Sequence, residues 1–309
     1  MMKDKSYGKI DFVGKVGIFG GLSLLFVVVS LIYLAVRGIS YGIDFRGGTE
    51  VQVKFEGAVH IDQLRSSLSK LNLGELGLQS FGDQNEFVIR FQGHTAATEK
   101  ETNQLLNESI EKVKSLINTD FAADKPEIRR IDTVGPQVGA ELKKNGFLSV
   151  FYCLLIILIY VSLRFDFKYA PGAVVCLFHD AVITLGIFVA VGKEVNVPIL
   201  AAIMTLIGYS LNDTIVVYDR IRETEHEYKD KGMGFIINRA INDMLLRTLI
   251  TSGTVFVSAL CLLLIAGGTV ADIAFAICIG IIFGTYSSVY VAAPLILLTE
   301  KLTAKQKTA

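Results

Sequence analysis

The chain has 309 residues, and 51% of them are hydrophobic, which is too apolar for a soluble globular protein of this length. Basic and acidic residues, 30 of each, give a formal net charge of zero, and we expect no nucleic-acid partner. All four cysteines lie inside apolar runs, so the sequence predicts neither a disulfide framework nor a cysteine metal site. These properties indicate an integral membrane protein.

Six apolar runs are each close to the roughly 20 residues that a helix needs to cross a bilayer. We predict membrane spans over residues 16–36, 146–163, 169–191, 195–218, 248–266 and 272–299. No clear small-residue cleavage site follows the first run before Arg37, so we interpret this run as a retained anchor and not as a signal peptide.

Lysine and arginine are concentrated in alternate connections. Four precede the first span, two lie between the second and third, six between the fourth and fifth, and three follow the sixth, whereas the short connections on the other side contain only Lys193. Cytoplasmic loops are enriched in these residues, so both termini are predicted to be cytoplasmic. The predicted organisation is a cytoplasmic N-terminus with the first helix in 1–36, an extracytoplasmic domain in 37–145, five more helices in 146–300 and a cytoplasmic tail in 301–309.

The long connection after the first span contains strand and helix patterns. Strands are predicted over 49–56, 76–81, 86–92 and 127–134, and apolar residues at helical spacing predict helices over 61–71 and 99–117. The order β-α-β-β-α-β is that of the ferredoxin-like fold. The predicted fold class is therefore an α-helical polytopic membrane protein, with six transmembrane helices and one extracytoplasmic α+β ferredoxin-like domain.

The fourth span contains GYSLNDTIVVYD, in which polar residues interrupt an apolar helix. An Asp in a membrane span is costly and usually faces the bundle interior, which makes Asp213 the first candidate for a functional group. Tyr209 lies four residues earlier on the same helical face, and Asn212 adds polarity beside it. The alternative is an interfacial carboxylate that pairs with Arg220 or Arg222 near the helix end.

The fifth span opens with RTLITSGTVFVS, in which polar residues recur at helical spacing: Arg247, Thr251, Thr254 and Ser258. We expect this stripe to turn inward, where Arg247 would meet Asp213 as a fixed cation. An arginine that moves toward a carboxylate and away again changes the proton affinity of that carboxylate, as a proton relay requires. The alternative is a static ion pair that packs two helices.

The third span carries His179 and Asp180 about midway, where they could line the same polar interior. Histidine is the side chain that titrates nearest neutral pH. Gly280, Gly284 and Ser288 in the sixth span have the four-residue spacing of small residues that allows close helix contact, and we interpret them as packing residues.

The sequence contains no phosphate-binding G-x-x-x-x-G-K-[ST] loop, no nucleophile elbow and no His/Glu zinc spacing. We therefore expect no enzyme activity, no metal site and no cofactor. Energy would have to come from an ion gradient or from a partner.

Four motifs resemble those of a known family. They are GIDFRGGTEV at 42–51, the HD of LFHDAVITLG, GYSLNDTIVVYDRIRE at 208–223 and RTLITSGT at the start of the fifth span. With six spans and one outer domain, they are similar to the SecF family, the smaller subunits of the bacterial SecD–SecF accessory complex of protein export. The resemblance implies a transporter fold of the resistance, nodulation and division superfamily, of which this chain is one half.

The resemblance also implies partners and a location. SecD would supply the other half of the fold, and the SecY–SecE–SecG channel, YajC, YidC and a translocating preprotein would be further partners in the bacterial cytoplasmic (inner) membrane. The complex would use the proton-motive force to promote late steps of translocation.

Site residues follow from the matched motifs. The family's proton-path carboxylate corresponds to Asp213 and the associated arginine to Arg247. We rank as supporting residues Asn212, Tyr209, His179, Asp180, Thr251 and Thr254. The segment with Asp44, Arg46, Gly47 and Gly48 is predicted to be a hinge or docking element, or else a Gly-rich turn that starts the first strand.

Two other functions stay open at this point. The first is a half-size proton-coupled exporter of small molecules or lipids from the same superfamily, although a domain of about 100 residues leaves little room for a substrate cleft. The second is a passive membrane scaffold, in which Asp213 and Arg247 would be replaceable. Sodium is an alternative coupling ion, because a carboxylate with neighbouring hydroxyls can bind either ion.

Overall fold

The fold was analysed in a computed structural model, which describes residues 8–80, 85–92, 99–165 and 168–308, with side chains except at 99–100 and 301–308. A short 3₁₀ turn, Val13–Lys15, leads into α1 (Val16–Arg37). Gly38 ends this helix with a positive φ of 74°, and an extended segment leads to the single turn α2 (Ile43–Arg46).

The outer domain has the predicted β-α-β-β-α-β order. Its elements are β1 (Gly48–Lys54), α3 (Ile61–Ser69), β2 (Leu76–Ser80), β3 (Glu86–Phe91), α4 (Glu99–Asp120) and β4 (Glu127–Val134). The four strands form an antiparallel sheet in the order β2-β3-β1-β4, which confirms the predicted ferredoxin-like arrangement. Residue 81, the predicted end of the second strand, lies outside the described residues.

The two faces of this sheet differ in polarity. One face buries alternate apolar residues of β1 and β3 against α3 and α4, as the strand period requires: Val51, Val53, Phe87, Ile89 and Phe91 on the sheet, with Leu64, Leu68, Val113 and Ile117 on the helices. On the other face, Arg90 donates to Glu50 at 2.6 Å, and Gln52 donates to Glu86 at 2.7 Å. The domain therefore has its own core and one polar face.

The remaining helices form the membrane bundle. They are α5 (Pro136–Arg164), α6 (Ala170–Ala190), α7 (Val197–Glu227), α8 (Met233–Ile265), α9 (Gly268–Ser287) and α10 (Ala293–Thr308), with a π-helical turn, Ser288–Ala292, between the last two. In the described residues, six helical stretches are long and apolar enough to cross a membrane, and α9 and α10 together form the sixth. The predicted number of spans is confirmed.

Three helices are clearly longer than their predicted spans. α5 begins at Pro136, inside the region 37–145 that was predicted to belong to the outer domain. α7 continues to Glu227 and α8 already begins at Met233, whereas the sequence analysis placed a long connection over 219–247. The apolar run ends where water begins, but a helix satisfies its own backbone hydrogen bonds in either medium and can continue beyond the bilayer. Hydropathy alone therefore located the membrane segment and missed the helical extension.

The most enclosed helix is α6, which packs against α1, α5, α7 and α9. Helix α1, in contrast, buries only Ser23 and Ser30 and exposes its large apolar side chains, as expected next to lipid. A Cβ on Gly280 would lie 2.3 Å from Leu206 of α7, so the small residue at this position allows close contact between α9 and α7.

Two asparagines of α8 hold the segment that precedes α1. The buried Asn238 accepts from the Phe12 N–H at 2.7 Å and donates to the Ile10 carbonyl at 3.0 Å. One turn later, Asn242 accepts from the Ile10 N–H at 3.0 Å and donates to the same carbonyl at 2.8 Å. The long α8 is thereby joined to the start of α1.

Candidate functional site

Asp213 lies inside the bundle, where only 3% of its surface is exposed. Its Oδ2 accepts a hydrogen bond from Ser252 Oγ of α8 at 3.0 Å. The interfacial alternative is wrong, because Arg220 pairs with Asp243 at 2.6 Å and among the described residues neither Arg220 nor Arg222 forms an ion pair with Asp213. A buried carboxylate with a single hydroxyl donor is poorly compensated in its ionised form.

The polar stripe of α8 does not turn inward in this chain. Arg247, Thr251, Thr254 and Ser258 are exposed, and the three hydroxyls bond to carbonyls of their own helix. In the described part of the chain, Arg247 therefore forms no direct ion pair with Asp213. Arg247 nevertheless lies near enough to interact electrostatically with Asp213, and their joint action stays a prediction.

The face of α8 that does turn inward is offset by one residue. It carries Thr248, Ser252 and Ala259, all buried, whose small side chains allow close packing with the neighbouring helices. The sequence RTLITSGT has polar residues at helical spacing in two registers, so periodicity could not separate the two faces. Sequence reasoning missed Ser252 for that reason.

The supporting residues beside Asp213 are on the outer part of α7. Asn212 is exposed and Tyr209 is half-buried, and no hydrogen bond joins Tyr209 to Asp213 within the described residues. Together with the stripe of α8, Asn212 defines what we call the polar face: Asn212, Arg247, Thr251, Thr254 and Ser258.

His179 and Asp180 form a second buried group on α6, with 4% and 3% of their surfaces exposed. His179 Nδ1 is 2.8 Å from Asp180 Oδ1, and His179 Nε2 is 2.6 Å from Ser23 Oγ of α1. Asp180 Oδ2 accepts from Ser210 Oγ of α7 at 2.5 Å and from Ser287 Oγ of α9 at 2.9 Å. The two residues bond to each other and also face different helices, which the sequence analysis did not foresee.

No metal centre is formed by these acids, since nowhere in the described ranges do three His, Cys, Asp or Glu side chains gather as metal ligands do. The hydroxyls and carboxylates instead make direct hydrogen bonds to one another. Carboxyl, imidazole and hydroxyl groups in direct hydrogen-bond contact are groups that can accept and donate protons.

The predicted hinge or docking segment is tied to the connection between α6 and α7. Gly42 N–H donates to the Val195 carbonyl at 2.8 Å, and Val195 N–H donates to the Ser40 carbonyl at 2.7 Å. Asp44 Oδ2 accepts from the Val197 N–H at 2.9 Å, so it caps an unpaired amide at the start of α7. The geometry supports a docking role for Asp44.

Gly47 and Gly48 make the turn into β1, the other alternative for this segment. Gly47 has a φ of 77°, and a Cβ there would be 2.7 Å from the Cα of Pro136. Gly48 has a φ of 131°, and its Cβ would be 2.8 Å from the Phe91 carbonyl oxygen. The points where the chain enters and leaves the outer domain therefore touch, and only glycine fits between them.

Arg46 and Arg90 lie beside this turn, at a cleft of about 100 Å³ between the outer domain and the bundle. Arg46 is largely exposed, 3.7 Å from Glu75. Arg90 bridges Glu50 on the sheet to Glu194 in the α6–α7 connection, at 2.6 Å and 3.2 Å. One arginine thus links the outer domain to the bundle.

Comparison with known proteins identifies the family. Residues 112–302 match the family described as Protein export membrane protein SecD/SecF, C-terminal, and residues 32–59 match the SecD/SecF GG motif. The chain is 37% identical to the protein translocase subunit SecF of Calditerrivibrio nitroreducens, over 96% of each protein. It is 41% identical to that of Magnetococcus marinus, over 94% of this chain and 92% of the relative.

Two solved structures are similar over nearly the whole chain. The crystal structure of SecDF from Thermus thermophilus, a translocon-associated membrane protein, has a TM-score of 0.84 and 31% identity and covers 95% of this chain. SecDF in its super-membrane-facing form has a TM-score of 0.70 and 30% identity over 97% of the chain. This chain spans 39% and 40% of those longer chains. It belongs to the SecD/SecF family, as a SecF-type protein translocase subunit.

Proposed function

We propose that this chain is the SecF half of a SecD–SecF complex that uses the proton-motive force to promote late steps of preprotein translocation across the bacterial cytoplasmic membrane. Asp213 is the coupling carboxylate in this proposal, and Arg247 is the cation that modulates it. The observation that carries the proposal is the burial of Asp213 against a single hydroxyl, since an ionised carboxylate in such a site is costly and binds a proton readily.

A SecD partner would cover the polar face. Polar side chains on a membrane helix rarely face lipid and usually face protein or water. Arg247 and Asn212 are exposed in the single chain, next to the Asp213–Ser252 contact in sequence. With SecD packed there, Arg247 would be enclosed near Asp213, and the two would act together as the resemblance implies.

The orientation and the other partners follow from the same proposal. The concentration of Lys and Arg in alternate connections supports cytoplasmic termini and an extracytoplasmic 37–145 domain, with the remaining segments divided as predicted from the sequence. In this location the outer domain is placed to meet a preprotein that emerges from a SecY–SecE–SecG channel, and YajC and YidC would be accessory partners. We do not propose an exporter of small molecules, since the relatives are translocase subunits.

The proposal is tested by export into vesicles that contain the chain, SecD and the channel, with and without an imposed pH gradient. We expect the gradient to accelerate preprotein release with the wild-type chain and to have no effect with Asp213→Asn, which keeps the size of the side chain and removes its proton binding. Replacing the pH gradient with a sodium gradient identifies the coupling ion.

Asp219→Asn is the matched control, because Asp219 lies on the same helix but is 43% exposed, near Arg164. It should respond to the gradient as the wild type does. A full response by an assembled Asp213→Asn complex would instead support a passive scaffold and overturn the proposed coupling.

A further inference from the structure

The His179–Asp180 pair is separate from Asp213. Asp213 faces Ser252 of α8, whereas Asp180 faces Ser210 of α7 and Ser287 of α9. His179 extends the second group to Ser23 of α1, so hydrogen bonds connect α1, α6, α7 and α9 in the bundle interior. All of these polar side chains are more than nine-tenths buried.

The hydrogen bonds around Asp180 fit an ionised and a protonated carboxyl equally well. When Asp180 is ionised, Oδ2 accepts from the hydroxyl of Ser287 at 2.9 Å. When Oδ2 carries a proton, it donates to the same hydroxyl oxygen, whose own hydrogen then turns to the Gly284 carbonyl at 3.0 Å. Neither state leaves the Ser287 hydroxyl without a partner.

The imidazole of His179 can likewise either accept or donate a hydrogen bond at Nε2. Ser23 donates to His179 Nε2 when that nitrogen is unprotonated, and it accepts when Nε2 carries a hydrogen, over the same 2.6 Å. An added proton therefore has two places in the pair, Asp180 Oδ2 or His179 Nε2, and a hydroxyl is positioned to accept a hydrogen bond from each.

The groups around the pair provide no fixed charge. The residues that contact it from α1, α7 and α9 are Ser23, Ser210 and Ser287, and the titratable group beside it is the thiol of Cys176, on α6 itself, 3.9 Å from Asp180 Oδ2. In the described ranges, Asp180 forms no ion pair with Lys or Arg. The net charge of the pair is set by its own protons.

We propose that His179 and Asp180 are a second proton-binding site of the bundle, which alternates between a net charge of −1 and a neutral state by taking up one proton. The hydroxyls of Ser210 and Ser287 and the imidazole of His179 provide hydrogen-bond partners for both states. The role of this site in coupling rests on the proposed function, but its proton binding does not.

The site has a structural consequence for α1. Ser23 is one of only two buried residues of that helix, and it bonds directly to the pair. A proton that moves between Asp180 and His179 reverses the hydrogen bond to Ser23. The second site is thus hydrogen-bonded to α1, the helix that leads into the outer domain, whereas Asp213 is hydrogen-bonded to α8.

Infrared difference spectroscopy tests the proposal on the full chain in phospholipid nanodiscs. Between about pH 6 and pH 9, exposed carboxylates stay ionised, so a protonated-carboxyl band that changes in this range belongs to buried acids. In Asp213→Asn, we expect one such band to remain and to be lost when Asp180→Asn is added. The proposal is wrong if Asp180→Asn removes no band from the Asp213→Asn spectrum and the ring nitrogens of His179 also show no change over the same pH range.

A second measurement uses the wild-type protein and does not depend on the folding of a variant. The chain has four histidines, so ¹⁵N-histidine NMR gives a small set of signals, and His179→Gln assigns the one of interest. We expect the ring nitrogens of His179 to change their protonation or hydrogen bonding over the same pH range, in the wild type and in Asp213→Asn alike. A His179 signal that does not change with pH overturns the proposal, whatever the outcome of the export assay.

Discussion

Asp213 and Asp180 are both buried carboxylates, but their surroundings differ in the number of donors. Asp213 has one hydroxyl partner, and Asp180 has two hydroxyls and an imidazole nitrogen within 3 Å. Hydrogen bonds to a charged group each contribute about 1.5–3 kcal/mol, so hydrogen bonding stabilises an ionised Asp180 more than an ionised Asp213, whereas Arg247 acts electrostatically on Asp213.

Gly47 allows a direct test of the close approach at the base of the outer domain. Gly47→Ala should destabilise the protein by about 1–3 kcal/mol, because its φ is unfavourable for other residues and the added methyl would overlap Pro136. The midpoint of thermal unfolding, followed by circular dichroism, should fall by roughly 2 °C for each kcal/mol that is lost.

Gly135→Ala is the matched control for this substitution. Gly135 lies beside the same contact, has a φ of −64°, and has open space where a Cβ would be placed. Its effect should stay within about 0.5 kcal/mol. Equal midpoints for the two variants would show that the approach of Gly47 to Pro136 does not matter for stability.

Single residues were predicted from the sequence when their chemistry was unusual for their surroundings. A carboxylate in an apolar run is easily recognised in the sequence as a candidate. Both carboxylates found in this way, Asp213 and Asp180, are buried. Ser252 could not be found in this way, because serine is common in membrane helices and only the rotation of α8 decides which register faces the bundle. The outward position of Arg247 depends on the same rotation.

At the scale of elements, the linkage between α8 and α1 was not apparent from the sequence. Asn238 and Asn242 are one turn apart and lie far from the N-terminus in sequence, and only the fold brings them to Ile10 and Phe12. The outer domain, in contrast, was predicted element by element, because its strands and helices have clear periods and short connections.

Asn238→Ala should release the segment before α1. The buried amide of Phe12 would lose its acceptor, at a cost of about 1–3 kcal/mol. Hydrogen–deuterium exchange of the amides at 12–15, measured by mass spectrometry, should then become roughly five- to a hundredfold faster, since each 1.4 kcal/mol is a factor of ten.

Asn145→Ala serves as the comparison, because Asn145 is exposed on α5. It should leave the exchange of 12–15 as in the wild type. Unchanged exchange in Asn238→Ala would mean that the packing of Phe12 holds the segment without the asparagine.

At the scale of the whole molecule, the distribution of exposed residues distinguishes two surfaces of the bundle. The outward sides of α1 and α5 are apolar, whereas the outward side of α8 carries Arg247 and three hydroxyls of the polar face among apolar side chains such as Leu246 and Ile250. Lipid suits the first surface, and a protein partner suits the second.

Photo-crosslinking distinguishes the two surfaces. A photoreactive phenylalanine analogue in place of Thr254 should form an adduct with SecD when the two proteins are produced together, because the polar face is the proposed contact. The same analogue in place of Ile156, 64% exposed on α5, should react with lipid and give no SecD adduct. SecD adducts of equal yield at both positions would argue against the polar face as the contact.

The contact of Gly47 with Pro136 restricts how the outer domain can move. If the outer domain moves, as the proposed function requires, two chain segments that meet at one point would let it tilt and swivel about that point, whereas sliding across the membrane surface would separate them. Arg90 forms an ion pair with Glu194 close to this point, so the pair would have to separate when the domain tilts away from the bundle. A displacement of a few ångströms at the base would therefore become a much larger arc at the far end of the sheet.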